Sequence, residues 1–169
     1  MKKALIGTVL ASGLLLATPA TFAGTGYVGI DYQLFTAVIE NVPDLEPEAV
    51  ALRIGGHLND NFQLEGRIGS GTKNDNVEGE SLQVDNIFGF YLKGGVDLAN
   101  MFFPYLLLGY TKVEFQSPGD IGQTESDMSY GFGGDLHFGS FQIGAEWMMA
   151  QDKTDYELKM TTLSAAWRF

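Results

Sequence analysis

Apolar residues alternate with polar or small residues along most of the chain after position 25, and this period of two predicts β-strands. The last nine residues, TTLSAAWRF, show the pattern clearly, because Leu163, Ala165, Trp167 and Phe169 fall on one face. No helical period competes with it in this part of the sequence. The pattern predicts eight strands, at residues 26–38, 49–58, 62–72, 86–97, 103–115, 128–138, 141–151 and 157–169.

The connections between the predicted strands differ in length at the two ends of the sheet. Those after strands two, four and six are short, at 59–61, about 98–102 and 139–140. Those after strands one, three and five are long, acidic and rich in Gly, Pro, Asn and Ser, and the one after strand seven, 152–155, is shorter but equally polar. Each strand has about the length that a tilted strand needs to cross a bilayer. The sequence therefore predicts an all-β fold, an eight-stranded antiparallel up-and-down transmembrane β-barrel.

The two faces of these strands differ in charge. One face is apolar as far as Lys159, and on the fifth strand it is predicted to include Phe103, Tyr105, Leu107 and Val113. The opposite face carries five acids and five bases, which are Asp31, Arg53, Glu65, Arg67, Lys93, Lys112, Glu114, Asp135, Glu146 and Arg168.

Equal numbers of acids and bases indicate that the charged face lines the interior of the barrel. A buried ion without a partner there would cost several kcal/mol, so each charge needs an opposite one. We therefore predict that this face lines the lumen as an ion-pair network and that the apolar face contacts lipid. Closure of the barrel then satisfies every backbone hydrogen-bonding group. The closest cluster is predicted to be Arg53, Glu65, Arg67 and Lys93. The aromatic residues predicted to share the lumen are Tyr27, Phe35, Tyr91 and Tyr110.

The first 23 residues, MKKALIGTVLASGLLLATPATFA, have the organisation of a secretory signal peptide. Lys2 and Lys3 precede an apolar stretch, and the segment ends in TFA, a cleavage site of the A-x-A type. The sequence thus predicts a cleaved segment at 1–23 and one domain at 24–169. That domain has no cysteine, and its 21 acids and eight bases give a net charge of −13, which argues against nucleic acid as a partner.

Together, the signal peptide, the eight strands, the short turns and the terminal W-R-F resemble the small outer-membrane barrel superfamily of OmpA transmembrane domains, OmpX and Ail. The resemblance implies a place in the bacterial outer membrane, with both termini in the periplasm and the loops outside the cell. It implies contact with outer-membrane lipid and lipopolysaccharide. It also makes Trp167 and Phe169 an assembly signal that the barrel-assembly machinery reads. The acidic loops then serve in surface interaction, such as adhesion or resistance, with an extracellular protein ligand that the sequence does not name.

Two other functions fit a barrel of this size. One is a narrow, porin-like channel, although eight strands leave an interior just wide enough for side chains to fill. The other is a membrane-embedded lipid-modifying enzyme, whose only candidate residues are His137, Ser140 and Glu146. The His-x-Ser spacing of lipid A deacylases is absent, and a catalytic base must lie within hydrogen-bond reach of its nucleophile. The sequence therefore predicts no enzyme activity, no catalytic residue and no cofactor.

Three lysines outside the charged face are candidates for contact with lipopolysaccharide. Lys73, Lys153 and Lys159 fall where the predicted strands meet the longer loops. Lipopolysaccharide presents phosphates at that level of the outer leaflet, and lysine is a suitable point-charge partner for phosphate. We expect these residues to contact lipopolysaccharide.

The predicted loop after strand three is a candidate calcium-binding site. Oxygen ligands stand at Asn74, Asn76, Glu78 and Asp85, with a glycine directly after Glu78. This spacing is similar to that of an EF-hand calcium-binding loop, in which glycine permits the sharp turn between ligands. It departs from that pattern in having asparagine at the first position and the shorter aspartate at the last. The sequence therefore gives only a weak indication of a calcium site.

Overall fold

The computed structural model describes residues 26–39, 46–73, 75–77, 80–116, 123–152 and 156–169. The predicted signal peptide lies outside these residues, and so do Asn74, Glu78 and Lys153. In the part of the chain described, no helix is long and apolar enough to cross a membrane.

The described residues form antiparallel strands that close into a barrel. The strands are β1 Gly26–Ile39, β2 Glu48–His57, β3 Phe62–Lys73, β4 Asp75–Val77, β5 Glu80–Gly95, β6 Phe102–Gln116, β7 Gln123–Phe138, β8 Phe141–Asp152 and β9 Tyr156–Arg168. The wall runs in the order β3-β2-β1-β9-β8-β7-β6-β5, and the pairing of β3 with β5 closes it. The predicted all-β, eight-stranded antiparallel barrel is confirmed, and the short β4 adds to β5 beyond the wall.

The first and last described residues meet at the same end of the barrel. The N–H of Gly26 donates to the carbonyl oxygen of Phe169 at 3.0 Å, and the N–H of Phe169 donates back at 2.9 Å. β1 and β9 are thus paired along their whole length. We call this the turn end, because the short connections 58–61, 96–101 and 139–140 also lie there. The opposite end, which carries the connections 40–47, 74–79, 117–122 and 153–155, is the loop end.

Several strands extend further toward the loop end than the sequence pattern predicted. β5 begins at Glu80 rather than 86, and β7 begins at Gln123 rather than 128. β4 pairs with the start of β5, Asp75 opposite Leu82, so part of the predicted calcium loop is a β-hairpin. The added stretches, ESLQVD and QTESD, are dominated by polar residues. Backbone pairing continues there beyond the apolar outer band, where the period-two signal fades.

Most strands orient their faces as predicted. The apolar face points outward on β1, β2, β3, β5, β7, β8 and β9, with Ile54 and Phe132 among the most exposed residues. Met149 is the exception on β8, since it is buried beside a register shift. The charged face points inward on these strands, and Glu65 and Lys93 are fully enclosed.

The predicted orientation of β6 was wrong. Lys112 and Glu114, predicted in the lumen, lie on the outer face with side chains 39% and 29% exposed. Tyr110 also faces outward. The stretch FFPYLLLGY is apolar on both faces, so it carries no period-two signal, and the two charged residues alone suggested the opposite orientation. The residues that point inward instead are Phe103, Tyr105, Leu107 and Val113.

Candidate functional site

Inward-facing side chains fill the barrel in three layers. The turn-end layer contains Asp135, His137 and Gln142. The middle layer contains Asp31, Arg53, Glu65, Arg67, Lys93 and Glu146. The loop-end layer is mostly apolar. It contains Phe35, Ile87, Val113, Met148, Leu158 and Met160, together with the buried Gln151 opposite Leu158. Their order along the barrel follows from their order along the strands, since each strand runs from one end to the other.

Two carboxylates organise the middle layer around Arg67. The Nη1 and Nη2 atoms of Arg67 donate to the two oxygens of Glu146 at 2.6 and 2.8 Å, while its Nε donates to Oε1 of Glu65 at 2.6 Å. Oε2 of Glu65 accepts from Nζ of Lys93 at 2.8 Å and lies 3.4 Å from Nη1 of Arg53. Charge-assisted, two-point contacts of this kind are stronger than neutral hydrogen bonds.

Further contacts join the remaining charges to this centre. Nε of Arg53 donates to Asp31, and the same carboxylate lies 3.5 Å from Nε of Arg67. Nζ of Lys93 lies 3.9 Å from both Asp135 and Glu146. The structure therefore brings together the four residues predicted as the closest cluster. Arg168 pairs with the inward-facing Tyr27 at the turn end, apart from the middle layer.

Tyrosines connect the network to the wall, and glycines make room for them. The hydroxyl of Tyr27 donates to Glu65 at 2.6 Å, and that of Tyr105 donates to Glu146 at 2.9 Å. Arg67 lies over the ring of Tyr91 and Lys93 over the ring of Tyr105, 4.5 and 4.4 Å from the ring centroids. The sequence pattern missed Tyr105, because β6 is apolar on both faces. The inward-facing glycines whose absent Cβ atoms would collide with these rings are Gly55, Gly89, Gly109 and Gly133.

Of the loop-end layer, the sequence predicted only Phe35 as a lumen residue. Ile87, Val113 and Met148 have no exposed surface, and Phe35 and Leu158 are 1% exposed. These residues form one hydrophobic cluster across the interior. Charged side chains therefore lie mainly in the middle and turn-end parts of the lumen, whereas packed apolar side chains predominate toward the loop end.

Polar pairs occupy the outer surface at the loop end, where the inner face becomes apolar. Nζ of Lys112 donates to Glu114 at 2.6 Å, and Lys159 and Glu157 form an ion pair at 2.8 Å. The hydroxyl of Tyr32 donates to Glu48. The usual polarity of a membrane barrel, apolar outside and polar inside, is thus reversed at the loop end. That arrangement suits a wall surrounded by water.

The two binding hypotheses concern residues that are only partly described. Lys73 ends β3 opposite Glu48, Lys159 lies in β9, and Lys153 is outside the described residues. Contact of these lysines with lipopolysaccharide stays a prediction.

The calcium hypothesis also stays a prediction. Asn74 and Glu78 lie outside the described residues, whereas Asn76 lies in β4 opposite Ser81. Asp85 lies in β5, where its carboxylate accepts from Nδ2 of Asn86 at 3.2 Å. Among the described residues, no group of three or more His, Asp or Glu side chains could hold a metal ion.

The three residues considered for an enzyme do not form a catalytic arrangement. The carboxylate of Glu146 accepts hydrogen bonds from Arg67 and Tyr105. Neither ring nitrogen of His137 has a hydrogen-bond partner among the described residues. Ser140 lies exposed in the turn between β7 and β8. No contact joins a base to a nucleophile here.

The sequence of the whole barrel matches a known family model. The model is the outer membrane protein beta-barrel domain, and it matches residues 6–169. The chain belongs to this family. Its strands are accordingly transmembrane strands of an outer-membrane barrel, as predicted. No curated protein shows significant sequence similarity to the chain.

Solved structures of small outer-membrane proteins share the fold. Ail from Yersinia pestis, in complex with the heparin analogue sucrose octasulfate, is 18% identical, with a TM-score of 0.64 over 86% of this chain and 99% of that one. Neisserial surface protein A is 15% identical, with a TM-score of 0.59 over 86% and 97%. The N-terminal barrel of OprF from Pseudomonas aeruginosa is 17% identical, with a TM-score of 0.50 over 83% and 97%. At these identities the likeness concerns the fold alone.

Proposed function

We propose that the protein is a sealed outer-membrane anchor, which presents acidic loops outside the cell and acts through them. Its loop end is extracellular, and its termini lie in the periplasm after removal of the signal peptide at 1–23. One observation carries the proposal: packed, buried apolar side chains fill the lumen toward the loop end. A barrel sealed in this way offers a rigid support rather than a path for solutes.

The reversed polarity at the loop end supports this orientation. The outer pairs Lys112–Glu114 and Glu157–Lys159 are compatible with water and headgroups but not with hydrocarbon. Inside the same part of the wall, Met148 and Leu158 provide the core that a water-exposed β-structure needs. The strands therefore extend beyond the outer surface of the membrane and support the loops there.

Charge at the loop end indicates the class of partner. Positions 40–48, 73–85, 112–127 and 152–159 contain fifteen acids and four bases. Ail has been solved with a heparin analogue, a polyanion. A strongly acidic surface repels such a ligand and attracts cationic ones. We infer that the loops of this protein bind a basic patch on an extracellular protein.

Conductance across a planar lipid bilayer tests the sealed lumen. The chain from residue 24, refolded and inserted into the bilayer, is expected to give no stepwise current at either polarity. A general porin inserted in the same way is the positive control. Stable current steps from the wild-type chain would contradict the seal and favour the narrow-channel alternative.

Binding of a fluorescent polylysine peptide to cells that display the protein tests the acidic surface. The variant with Asp120→Asn, Glu125→Gln and Asp127→Asn is expected to bind less peptide, and added salt is expected to reduce wild-type binding. The control variant, Asp60→Asn with Asp97→Asn, removes acids at the turn end and is expected to bind normally. Equal binding by all three proteins would contradict a loop-mediated interaction.

Lipid contacts complete the proposal. Charge reversal of Lys73, Lys153 and Lys159 is expected to weaken lipopolysaccharide association in a salt-sensitive way. Unchanged association of the charge-reversed variant with lipopolysaccharide at low salt, where charge effects are largest, would contradict these lipid contacts.

A further inference from the structure

Asp135 is a fully buried carboxylate that lacks a close partner. Neither of its oxygens accepts a hydrogen bond from the described residues. The nearest ion pair, to Nζ of Lys93, is long at 3.9 Å. Lys93 lies closer to Glu65, at 2.8 Å, and equally far from Glu146. Three carboxylates therefore share the ammonium group of Lys93, which stabilises the negative charge of Asp135 only weakly.

The side chains around Asp135 also have unused hydrogen-bonding capacity. Gln142 is 2% exposed and His137 is 4% exposed, and the two residues face each other across β7 and β8. Neither amide atom of Gln142 and neither ring nitrogen of His137 has a partner among the described residues. Buried polar atoms normally have partners, so this group calls for a ligand.

Gly144 allows the carboxylate of Asp135 to lie close against the inner wall. A Cβ atom at this position, which faces Asp135 across the strands, would lie 2.2 Å from Oδ1 of Asp135 and 2.6 Å from Oγ of Ser164. The carboxylate and the hydroxyl therefore border the same small region of the inner wall. Gln142 precedes Gly144 on β8 by two residues and faces the same way.

We propose that Asp135, Gln142 and Ser164 bind one small monovalent cation at the turn end of the lumen. Carboxylate, amide carbonyl and hydroxyl oxygens are ligands of hard cations. A single carboxylate next to a lysine favours one positive charge over two. The enclosure of Asp135 and Gln142 limits the ligand to a bare ion. Its binding removes the cost of leaving a buried carboxylate without a counter-charge.

A proton on Asp135 is the competing way to neutralise this site. The ionisable groups that line this part of the lumen include Tyr27, Asp31, Arg53, Glu65, Arg67, Lys93, Tyr105, His137, Glu146 and Arg168. A metal ion and a proton differ in their dependence on salt composition and on pH, so an experiment can separate them.

Urea unfolding in detergent micelles provides the test. The chain from residue 24 is compared in sodium chloride and in choline chloride of equal ionic strength at one pH, because choline is too large for the site. The wild-type midpoint is expected to rise with the logarithm of sodium concentration, as for one bound ion. Asp135→Asn is expected to abolish this dependence. Asp97→Asn, which removes an exposed acid at the same end, is expected to retain it.

A second readout covers the case in which Asp135→Asn does not fold. Gln142→Leu removes one oxygen ligand and is expected to shift the sodium dependence to higher concentration. Broadening of the sodium-23 resonance by the wild-type protein is expected to decrease in this variant. Equal wild-type midpoints in sodium and choline would overturn the proposal. A further outcome is that the wild-type midpoints are equal in the two salts while their difference from the Asp135→Asn midpoint changes with pH. In that case a proton occupies the site and the metal-ion proposal is wrong.

Discussion

Arg67 holds Glu146 by two hydrogen bonds across the lumen, at 2.6 and 2.8 Å. Arg67 belongs to β3 and Glu146 to β8, and three strands of the wall separate them. The contact therefore braces opposite sides of the barrel rather than neighbouring strands. Both side chains are almost completely enclosed, so solvent screens the pair little.

Removal of Arg67 tests this brace. Arg67→Ala leaves the buried carboxylate of Glu146 without a close counter-charge, and we expect a loss of about 3–5 kcal/mol in the free energy of unfolding. Urea titration of the refolded barrel measures it. Lys112→Ala, which breaks an exposed pair on the outer face, is the matched control and is expected to change little. An unchanged midpoint for Arg67→Ala would mean that water, not protein, neutralises the middle layer.

Glycine at position 109 is expected to be essential for the packing of Tyr91. A Cβ atom there would lie 2.4 Å from the carbonyl oxygen of Phe90 and 2.4 Å from Cδ1 of Tyr91. Gly109→Ala is therefore expected to destabilise the barrel by about 1–3 kcal/mol through overpacking. Gly66→Ala is the control, because its Cβ would meet only Ile54, at 3.9 Å. Similar urea midpoints for the two variants would contradict this account.

The loop-end layer can be tested with two leucines of one strand. Leu158 is 1% exposed inside the barrel, whereas Leu163 is 52% exposed on the outer face of β9. Leu158→Ala leaves a cavity and is expected to cost about 2–5 kcal/mol. Leu163→Ala is expected to cost less, because lipid chains fill the space. Unfolding in lipid vesicles measures both, and a larger loss for Leu163→Ala would show that Leu158 does not belong to a packed core.

The transmembrane wall could be predicted because its outer face alternates strictly with its inner face. Where both faces become apolar, the pattern loses its information. β6 shows this between Phe102 and Tyr110. In β9 the strand alternates regularly, but its apolar residues change from the inner face at Met160 to the outer face at Leu163, so the period-two pattern of the sequence is interrupted. In the proposed orientation water surrounds the loop end, so the inner and outer faces of one strand differ in polarity between its two ends.

The membership of the charge network was predictable except for Lys112 and Glu114, whereas its geometry was not. Equal numbers of acids and bases indicated pairing, and that equality survives the outward placement of Lys112 and Glu114, since each removes one charge of opposite sign. Sequence cannot show that Arg67 reaches Glu146, because that contact depends on barrel closure. Nor can it show that Asp135 is left with only a long contact to Lys93.

The C-terminal residue takes part in the wall in two ways. Its backbone pairs with Gly26, and its ring covers that glycine so closely that a Cβ atom there would lie 2.9 Å from Cε2 of Phe169. The ring is also 69% exposed on the outer surface. A packing role and an assembly signal therefore predict different consequences for its removal.

Phe169→Ala keeps the backbone pairing and removes the ring, so it separates these roles. If Trp167 and Phe169 form a signal for the barrel-assembly machinery, we expect a large loss of the protein from the outer membrane of cells. Refolding of the purified chain into detergent, which needs no machinery, is expected to remain close to normal. Phe138→Ala is the control, because Phe138 is an exposed outer aromatic at the same end and lies outside the terminal motif. A purely structural role predicts equal defects for Phe169→Ala in cells and in detergent, and that result would contradict an assembly signal at Trp167 and Phe169.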